Sequence, residues 1–328
     1  MEKAETKTGR NRTGRNKTSR NKENSGNWRK RKMETGRKQY WRATMALLAA
    51  VFTCSMSSIF FKYMTAPSSA AAAYRLGFTV LLLTPAALGA KKTRRELFSL
   101  KARDVALCFL SGAFLAFHFY SWFESLNHTS ITSSTVLVNT EVLFAAFGYL
   151  FFFHKRLKGK EIAAIAVTFG GSVVIAMVDS GGGGHALYGD LLALAAAFFT
   201  AVYTLIGVRE REHMSTTVYT YVLYWGSFLT LLVLNLVTGT PLLGYGAIDW
   251  AMGFCLAVFC TLLGHSVFSW CLKYLAPTYV STAKLAEPVF ASAVAFVLFG
   301  EAPGLLQTLG AAIVLWGVCL YARADRSA

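Results

Sequence analysis

The stretch Pro277–Gly317, PTYVSTAKLAEPVFASAVAFVLFGEAPGLLQTLGAAIVLWG, decides how the rest of the chain is interpreted. Its first apolar segment carries Lys284 and Glu287, a Gly-Glu-Ala-Pro-Gly turn follows, and a second apolar segment comes after the turn. Ionisable side chains inside membrane-length helices are costly and rare, so they mark functional sites more often than surface charges do. We therefore expect Lys284 and Glu287 to belong to a site within a membrane-spanning bundle.

The composition predicts an all-α polytopic membrane protein. Of the 328 residues, 54% are hydrophobic and 15% are charged. A helix needs about 20 apolar residues to cross ~30 Å of hydrocarbon. Helices are favoured because backbone groups in lipid must bond internally and no alternating barrel pattern is present. Ten transmembrane helices are predicted, at Ala43–Met64, Ser69–Gly89, Asp104–Glu124, Ser130–Phe153, Glu161–Val178, Leu187–Val208, Tyr219–Val237, Trp250–Leu272, Tyr279–Phe299 and Leu305–Tyr321.

The basic residues predict the orientation. Fifteen of the 33 Lys and Arg residues lie in residues 1–42, and most others lie in alternate short loops. Because cytoplasmic loops carry the excess of Lys and Arg, both termini are expected in the cytoplasm of a cell-membrane protein. Residues 1–42 are expected to form a disordered tail that can contact anionic lipid, and no specific nucleic acid partner is predicted. Lys62 and Arg75 are expected to snorkel to the outer interface.

The glycine run Gly181–Gly184 divides the ten spans five and five. The predicted units are a first five-helix repeat at 43–179, a linker at 180–186, a second repeat at 187–322 and a cytoplasmic end at 323–328. At an offset of 146, Glu141 of the first half aligns with Glu287 of the second. Because each half has an odd number of spans, the repeats must be inverted, and inverted repeats are typical of transporters that alternate access around a midplane site.

The second half resembles the EamA family of the drug/metabolite transporter superfamily. The residues that carry the resemblance are Glu287-Pro288-Val289-Phe290, Phe299-Gly300-Glu301, Gln307, Gly310 and Gly317. The first half departs from the pattern, because His154-Lys155 replaces Gly-Glu and Val142 follows Glu141. The resemblance implies a ten-span exporter of amino acids, metabolites or drugs, and the substrate does not follow from the fold.

Glu141 and Glu287 are the first candidates for a substrate-amine or proton site. A carboxyl group held in a low dielectric binds a proton more readily, although each could instead be packing glue between helices. Lys284 and Glu287 are spaced i, i+3 and can pair on one helix face. Pairing would keep Glu287 ionised, in which case Lys284 would receive a substrate carboxylate, or the pair would be purely structural.

Polar and aromatic residues of other spans could complete a cavity lining. His118 and Trp122 lie in the third span, and His265 and Trp270 lie at matching depth in the eighth. Asn139 and Ser281, close in sequence to the two glutamates, could orient them by hydrogen bonds. All of these residues could equally be ordinary core.

Two further assignments are structural. Glu301 is expected to cap a neighbouring helix, and close helix contact is expected at Gly112, Gly170, Gly171, Gly310 and Gly317.

The sequence indicates a secondary transporter and no enzyme. No H-E-x-x-H, G-x-S-x-G or phosphate-binding glycine motif is present, and the six cysteines form no C-x-x-C pair, so no cofactor or metal is predicted. We expect a proton-coupled exporter of a small polar or amphipathic metabolite, working in the lipid bilayer by alternating access. The alternatives are an exchanger of nucleotide sugars or phosphate sugars, and a membrane scaffold or sensor. The oligomeric state stays open.

Overall fold

The computed structural model describes residues 39–152, 158–180, 184–271, 274–275, 280 and 283–326. These residues are almost entirely helical, and six of their helices are long and apolar enough to cross a membrane. Shorter apolar helices lie at Ile131–Ala145, Glu287–Phe299 and Leu305–Tyr321. The all-α membrane class predicted from the composition is confirmed.

The described residues include fourteen α-helices and one π-helix, numbered in chain order. They are α1 (39–55), α2 (Ser57–Lys62), α3 (Ser68–Gly89), α4 (Lys91–Phe98), α5 (Ala102–His128), α6 (Ile131–Val138), α7 (Glu141–Phe152), α8 (Gly159–Ser180), α9 (Gly184–Glu210), α10 (Thr216–Thr238), α11 (Ala247–Cys255), π1 (Leu256–His265), α12 (Ser266–Cys271), α13 (Glu287–Phe299) and α14 (Leu305–Arg326). The main packing pairs are α5 with α9, α5 with α10, α3 with α10, and α8 with α14.

Two helices begin at the two glutamates that align between the halves. The fourth predicted span is interrupted, because α6 ends at Val138 and α7 begins at Glu141. In the ninth predicted span, residues 285–286 form a turn and α13 begins at Glu287. Pro288 lies in the first turn of α13, where a missing N–H breaks no helical bond. Both carboxylates therefore lie at the electropositive start of a half-helix, as is common at transporter sites.

The eighth span is interrupted in a different way. Its middle, Leu256–His265, is a π-helix between α11 and α12. The Thr261 hydroxyl donates to the carbonyl of Leu256, five residues earlier, at 3.2 Å. π-helical segments are rare and occur frequently at functional sites. This segment carries Thr261 and His265, which both meet the site described below.

Close helix contact is confirmed at four of the five predicted glycines. A Cβ at Gly112 would lie 2.5 Å from a backbone oxygen of α10, and one at Gly171 would lie 2.8 Å from a backbone nitrogen of α14. A Cβ at Gly310 would lie 2.8 Å from a side chain of α8, and one at Gly317 would overlap the α8 backbone. The prediction for Gly170 is wrong, because no atom of the described residues lies within 4 Å of its added Cβ.

Two carboxylates accept hydrogen bonds from backbone N–H groups at or just before the start of a helix. The Asp249 carboxylate accepts hydrogen bonds from the backbone N–H groups of Thr65 (2.7 Å) and Ala66 (2.8 Å), just before α3. The Glu301 carboxylate accepts from the backbone N–H of Ile131 at 2.9 Å, at the first residue of α6. The expected capping role of Glu301 is confirmed. These bonds tie segments that are more than 150 residues apart in the sequence.

Candidate functional site

A small polar cavity lies in the middle of the bundle. It has a volume of about 40 Å³, which is room for a few water molecules. Seven of the nine predicted site residues line it: His118, Trp122, Asn139, Glu141, His265, Lys284 and Glu287. The lining also includes Cys54, Ser57, Arg75, Val138, Thr200 and Phe268. The structure thus brings residues of both halves of the chain around one polar space.

Lys284 forms an ion pair with Glu141, not with Glu287 as its i, i+3 spacing allows. The Lys284 ammonium donates to the Glu141 carboxylate, and each side chain is 18% exposed. The ammonium also lies 5.7 Å from the centre of the Phe268 ring. This pair bridges the two halves of the chain, because Glu141 opens α7 and Lys284 precedes α13.

With Lys284 paired to Glu141, Glu287 has no cation at hydrogen-bond distance among the described residues. Its Oε1 atom is buried and has no hydrogen-bond donor within the described part of the chain. The carboxyl group lies at the start of α13, where the helix dipole favours negative charge. Glu287 is therefore a cavity-lining residue with one carboxylate oxygen that has no donor among the described residues.

Arg75 is a central residue of the site, and the prediction that it snorkels to the interface is wrong. It is 0% exposed. Its Nε donates to the Thr261 hydroxyl at 2.8 Å and its Nη1 donates to the Ser57 hydroxyl at 2.9 Å. The guanidinium lies 3.9 Å from the centre of the Phe119 ring, a cation–π distance. The Nη2 atom has no hydrogen-bond partner in the described ranges.

The position of Arg75 has a physical explanation. Because α3 follows α2 after a short turn, this residue sits deep between helices, and two hydroxyls and an aromatic face replace water around the cation. Lys62, by contrast, is exposed. The hydroxyl groups of Ser57 and Thr261 around Arg75 would have identified it as a buried residue. Sequence patterns alone do not bring these residues together.

His118 and Trp122 form one wall. The His118 Nδ1 atom lies 3.1 Å from the carbonyl oxygen of Ala196 and within hydrogen-bond distance of the Thr200 hydroxyl. Its ring is nearly parallel to that of Trp122, with 6.2 Å between ring centres. The Trp122 Nε1–H is buried and has no acceptor among the described residues. His118 is thus held by α9, whereas Trp122 presents a free donor.

The remaining predicted residues differ in position. Asn139 ends α6 and donates through Nδ2 to the Thr135 carbonyl at 2.8 Å. The His265 Nδ1 atom lies 3.5 Å from the Tyr203 hydroxyl. Trp270 lies away from the cavity and is 37% exposed, with its ring 5.0 Å from that of Tyr274. Ser281 lies outside the described residues.

The position of Trp270 follows from helix geometry. His118 and Trp122 are four residues apart and share a helix face, whereas His265 and Trp270 are five apart. At 3.6 residues per turn, a separation of five residues turns a side chain roughly 140° away. Trp122 and Trp270, although predicted at matching depth, therefore do not lie on equivalent faces of their helices.

Three unused hydrogen-bonding atoms belong to cavity-lining residues. Arg75 Nη2 and Trp122 Nε1 are donors, and Glu287 Oε1 is an acceptor. Unpaired buried polar atoms are costly, at about 1–3 kcal/mol each. Cavity-lining residues that together offer two donors and one acceptor can bind a molecule that carries both an anionic and a cationic group.

Known transporters resemble this chain in sequence. An "uncharacterized transporter" of Clostridium kluyveri is 24% identical over 254 residues, covering 76% of this chain and 81% of the relative. A "probable amino-acid metabolite efflux pump" of Escherichia coli is 26% identical over 195 residues, covering 56% of this chain and 65% of the relative. Both relatives are named as transporters.

Structure and family comparisons agree with this. A solved crystal structure matches with a TM-score of 0.60 at 16% identity, over 87% of this chain and 98% of that chain, which supports the fold. The sequence model of the EamA-like transporter family matches twice, at residues 41–177 and 187–323. The resemblance seen in the Glu287-Pro288 segment is thereby confirmed along nearly the whole chain. The chain belongs to the EamA-like transporter family.

Proposed function

We propose that the protein exports a small zwitterionic metabolite of the amino acid class through the central cavity. The observation that carries the proposal is the set of unused polar atoms. Arg75 Nη2 and Trp122 Nε1 would donate to a substrate carboxylate, and Glu287 Oε1 would accept from its amine. Hydrogen bonds in which one partner is charged are the stronger ones and fix orientation.

The charge balance of the cavity favours a zwitterion over a phosphate-bearing substrate. The ionisable groups Arg75, Lys284, Glu141 and Glu287 sum to zero when all are charged. Lys284 is already neutralised by Glu141. A nucleotide sugar or phosphate sugar would bring about two negative charges into a cavity whose ionisable groups carry no net positive charge, so exchange of such substrates is the weaker alternative.

The size of the cavity supports alternating access as the mechanism. A space of about 40 Å³ holds a few waters and is too small for an amino acid. Substrate would therefore enter in another conformation, and the interruptions before Glu141 and Glu287 provide hinges next to the site. Discontinuous helices at a midplane site are a recurrent feature of secondary transporters.

The membrane topology of this proposal is ten transmembrane helices in two inverted five-helix repeats. The two family matches, 41–177 and 187–323, support the division near the glycine run. Both termini would be cytoplasmic in the plasma membrane, as the basic loops favour. The substrate, the surrounding lipid and any second copy of the chain are the partners to be tested.

Coupling to protons is proposed through Glu287. Its carboxyl group has no cation partner at hydrogen-bond distance in the described part of the chain, so a proton and a substrate amine can compete for the same oxygen atoms. Outward flow of substrate would then exchange for an inward proton. Glu141 is proposed to keep Lys284 in place and not to carry the proton, because the two form the ion pair.

The substrate class is tested by counterflow in proteoliposomes. Vesicles that contain the purified protein are loaded with one unlabelled compound, and entry of the same labelled compound is measured. The panel comprises the proteinogenic amino acids, a nucleotide sugar and a cationic dye. We expect accumulation with one or more amino acids. Accumulation with the nucleotide sugar alone, or with no compound, would contradict the proposal.

A further inference from the structure

A second cluster of ionisable side chains lies far from the cavity in the fold, where the start of α5 meets the end of α9. It consists of Asp104, Glu210 and His213, whose ligand atoms all lie within 4.8 Å of one another. Asp104 is in the first turn of α5, Glu210 ends α9, and His213 lies in the turn before α10. None of these residues lines the central cavity.

The two distances from His213 are longer than usual hydrogen bonds and close to the separations between ligands of a bound metal ion. The His213 Nε2 atom lies 3.5 Å from Glu210 Oε2 and 3.7 Å from Asp104 Oδ1. Hydrogen bonds from nitrogen to oxygen are usually 2.7–3.2 Å. Ligands of a tetrahedral zinc ion with bonds of 2.0–2.2 Å lie roughly 3.3–3.6 Å apart.

A buried and unpaired oxygen provides an independent indication. The Glu210 side chain is 2% exposed, and its Oε2 atom has no hydrogen-bond donor within the described residues. This is the same oxygen that faces His213 Nε2. A buried carboxylate oxygen without a donor is costly, and a cation between the three residues would remove that cost.

Asp249 offers an internal comparison. It lies near the start of α11, and its two oxygens accept from the Thr65 and Ala66 backbone N–H groups and from the Thr65 hydroxyl. That carboxylate has the donors it needs from the protein itself. The Glu210 carboxylate receives no such hydrogen bonds from the described turn beside it. Instead, the His213 ring lies next to its Oε2 atom.

We propose that Asp104, Glu210 and His213 bind a divalent cation of the zinc class. One imidazole nitrogen and two carboxylate oxygens form a three-ligand set, and water can complete the tetrahedron because His213 is half exposed. The ion joins α5 to the turn between α9 and α10. The site is separate from the transport cavity, so it stands or falls independently of the proposed substrate.

Equilibrium dialysis of the full-length protein tests this site. The protein is purified without a histidine tag, stripped with a chelator and dialysed against graded ZnCl2, and bound zinc is measured by atomic emission. The variants are His213→Ala and Glu210→Gln, and the matched control is Glu212→Gln, an exposed neighbour in the same turn. Size-exclusion profiles establish that each variant remains folded.

The expected result is a difference of one zinc ion per chain. The unmodified protein and Glu212→Gln should bind one more zinc than the two ligand variants at micromolar free zinc, and loss of a ligand should weaken binding at least 10-fold. Zinc should also raise the melting temperature of the unmodified protein and the control only. Equal zinc binding in all four proteins, or no zinc binding in the unmodified protein, would overturn the proposal.

Discussion

The ion pair between Lys284 and Glu141 allows the most quantitative test of the cavity. The changes are Lys284→Met, Glu141→Gln and both together. Each partner is 18% exposed, so the pair is largely shielded from water. Two unit charges 4 Å apart attract by about 1 kcal/mol in water and about 4 kcal/mol at an effective dielectric constant of 20. We therefore expect a coupling energy of about 2–4 kcal/mol.

The losses of stability in the two single variants, added together, should exceed the loss in the double variant. Removal of one partner leaves an uncompensated charge in the bundle, at a cost of about 3–5 kcal/mol. In the double variant no charge is left unpaired, so much of that loss should be recovered. The free energy of unfolding of the purified proteins in mixed detergent micelles measures all four corners of the cycle.

A second cycle provides the control. Lys284→Met with Glu287→Gln should couple by less than the first cycle, because Lys284 donates to Glu141 and not to Glu287. Additive effects at Lys284 and Glu141, within about 0.5 kcal/mol, would refute the pairing. A larger coupling with Glu287 would restore the i, i+3 pair that the sequence spacing allows.

Three further predictions concern the surroundings of the site. Gly317→Ala should lower the free energy of unfolding by about 1–3 kcal/mol through overlap with α8, whereas Gly170→Ala, with no described atom near its added Cβ, should raise it by about 0.5–1 kcal/mol because alanine is the better helix former; equal effects would contradict the packing. Asp249→Ala removes the acceptor of two backbone N–H groups and should cost about 2–3 kcal/mol in thermal or detergent unfolding; a neutral result would argue against this loop contact. Thr261→Val leaves the Arg75 Nε without its acceptor and should lower transport at unchanged expression; wild-type flux would remove Arg75 from the substrate site.

Much of the architecture follows from hydrophobicity and charge. The all-α membrane class rests on the length of the apolar runs, which no soluble fold needs. The alignment of Glu141 with Glu287 predicted a shared site, because the two residues occupy equivalent positions in the two halves. The structure places both at the start of a half-helix beside the same cavity.

The pairing of charges did not follow from the sequence. Spacing along one helix made Glu287 the natural partner of Lys284, but tertiary packing brings α7 closer. The break before α13 also removes the regular i, i+3 geometry, since residues 285–286 form a turn. A pair rule for continuous helices therefore does not apply at an interruption.

Arg75 was misplaced for a related reason. Its sequence position near a span end favoured the interface, whereas its burial depends on Thr261, Ser57 and Phe119 from other helices. The π-helix that carries Thr261 has no sequence signature of its own. The burial of such a residue depends on contacts between segments that are distant in the sequence, and patterns in a single sequence do not predict those contacts.

Proton-driven flux through a Glu287 variant tests the central claim most directly. Inverted membrane vesicles are given an acid-inside pH gradient, and entry of the labelled amino acid that passes the counterflow test is measured for wild type, Glu287→Gln and the exposed control Glu212→Gln at equal expression. We predict that Glu287→Gln abolishes gradient-driven flux, because Glu287 lines the cavity and its Oε1 has no donor among the described residues, and that the control transports normally. Unchanged flux in Glu287→Gln would contradict the account.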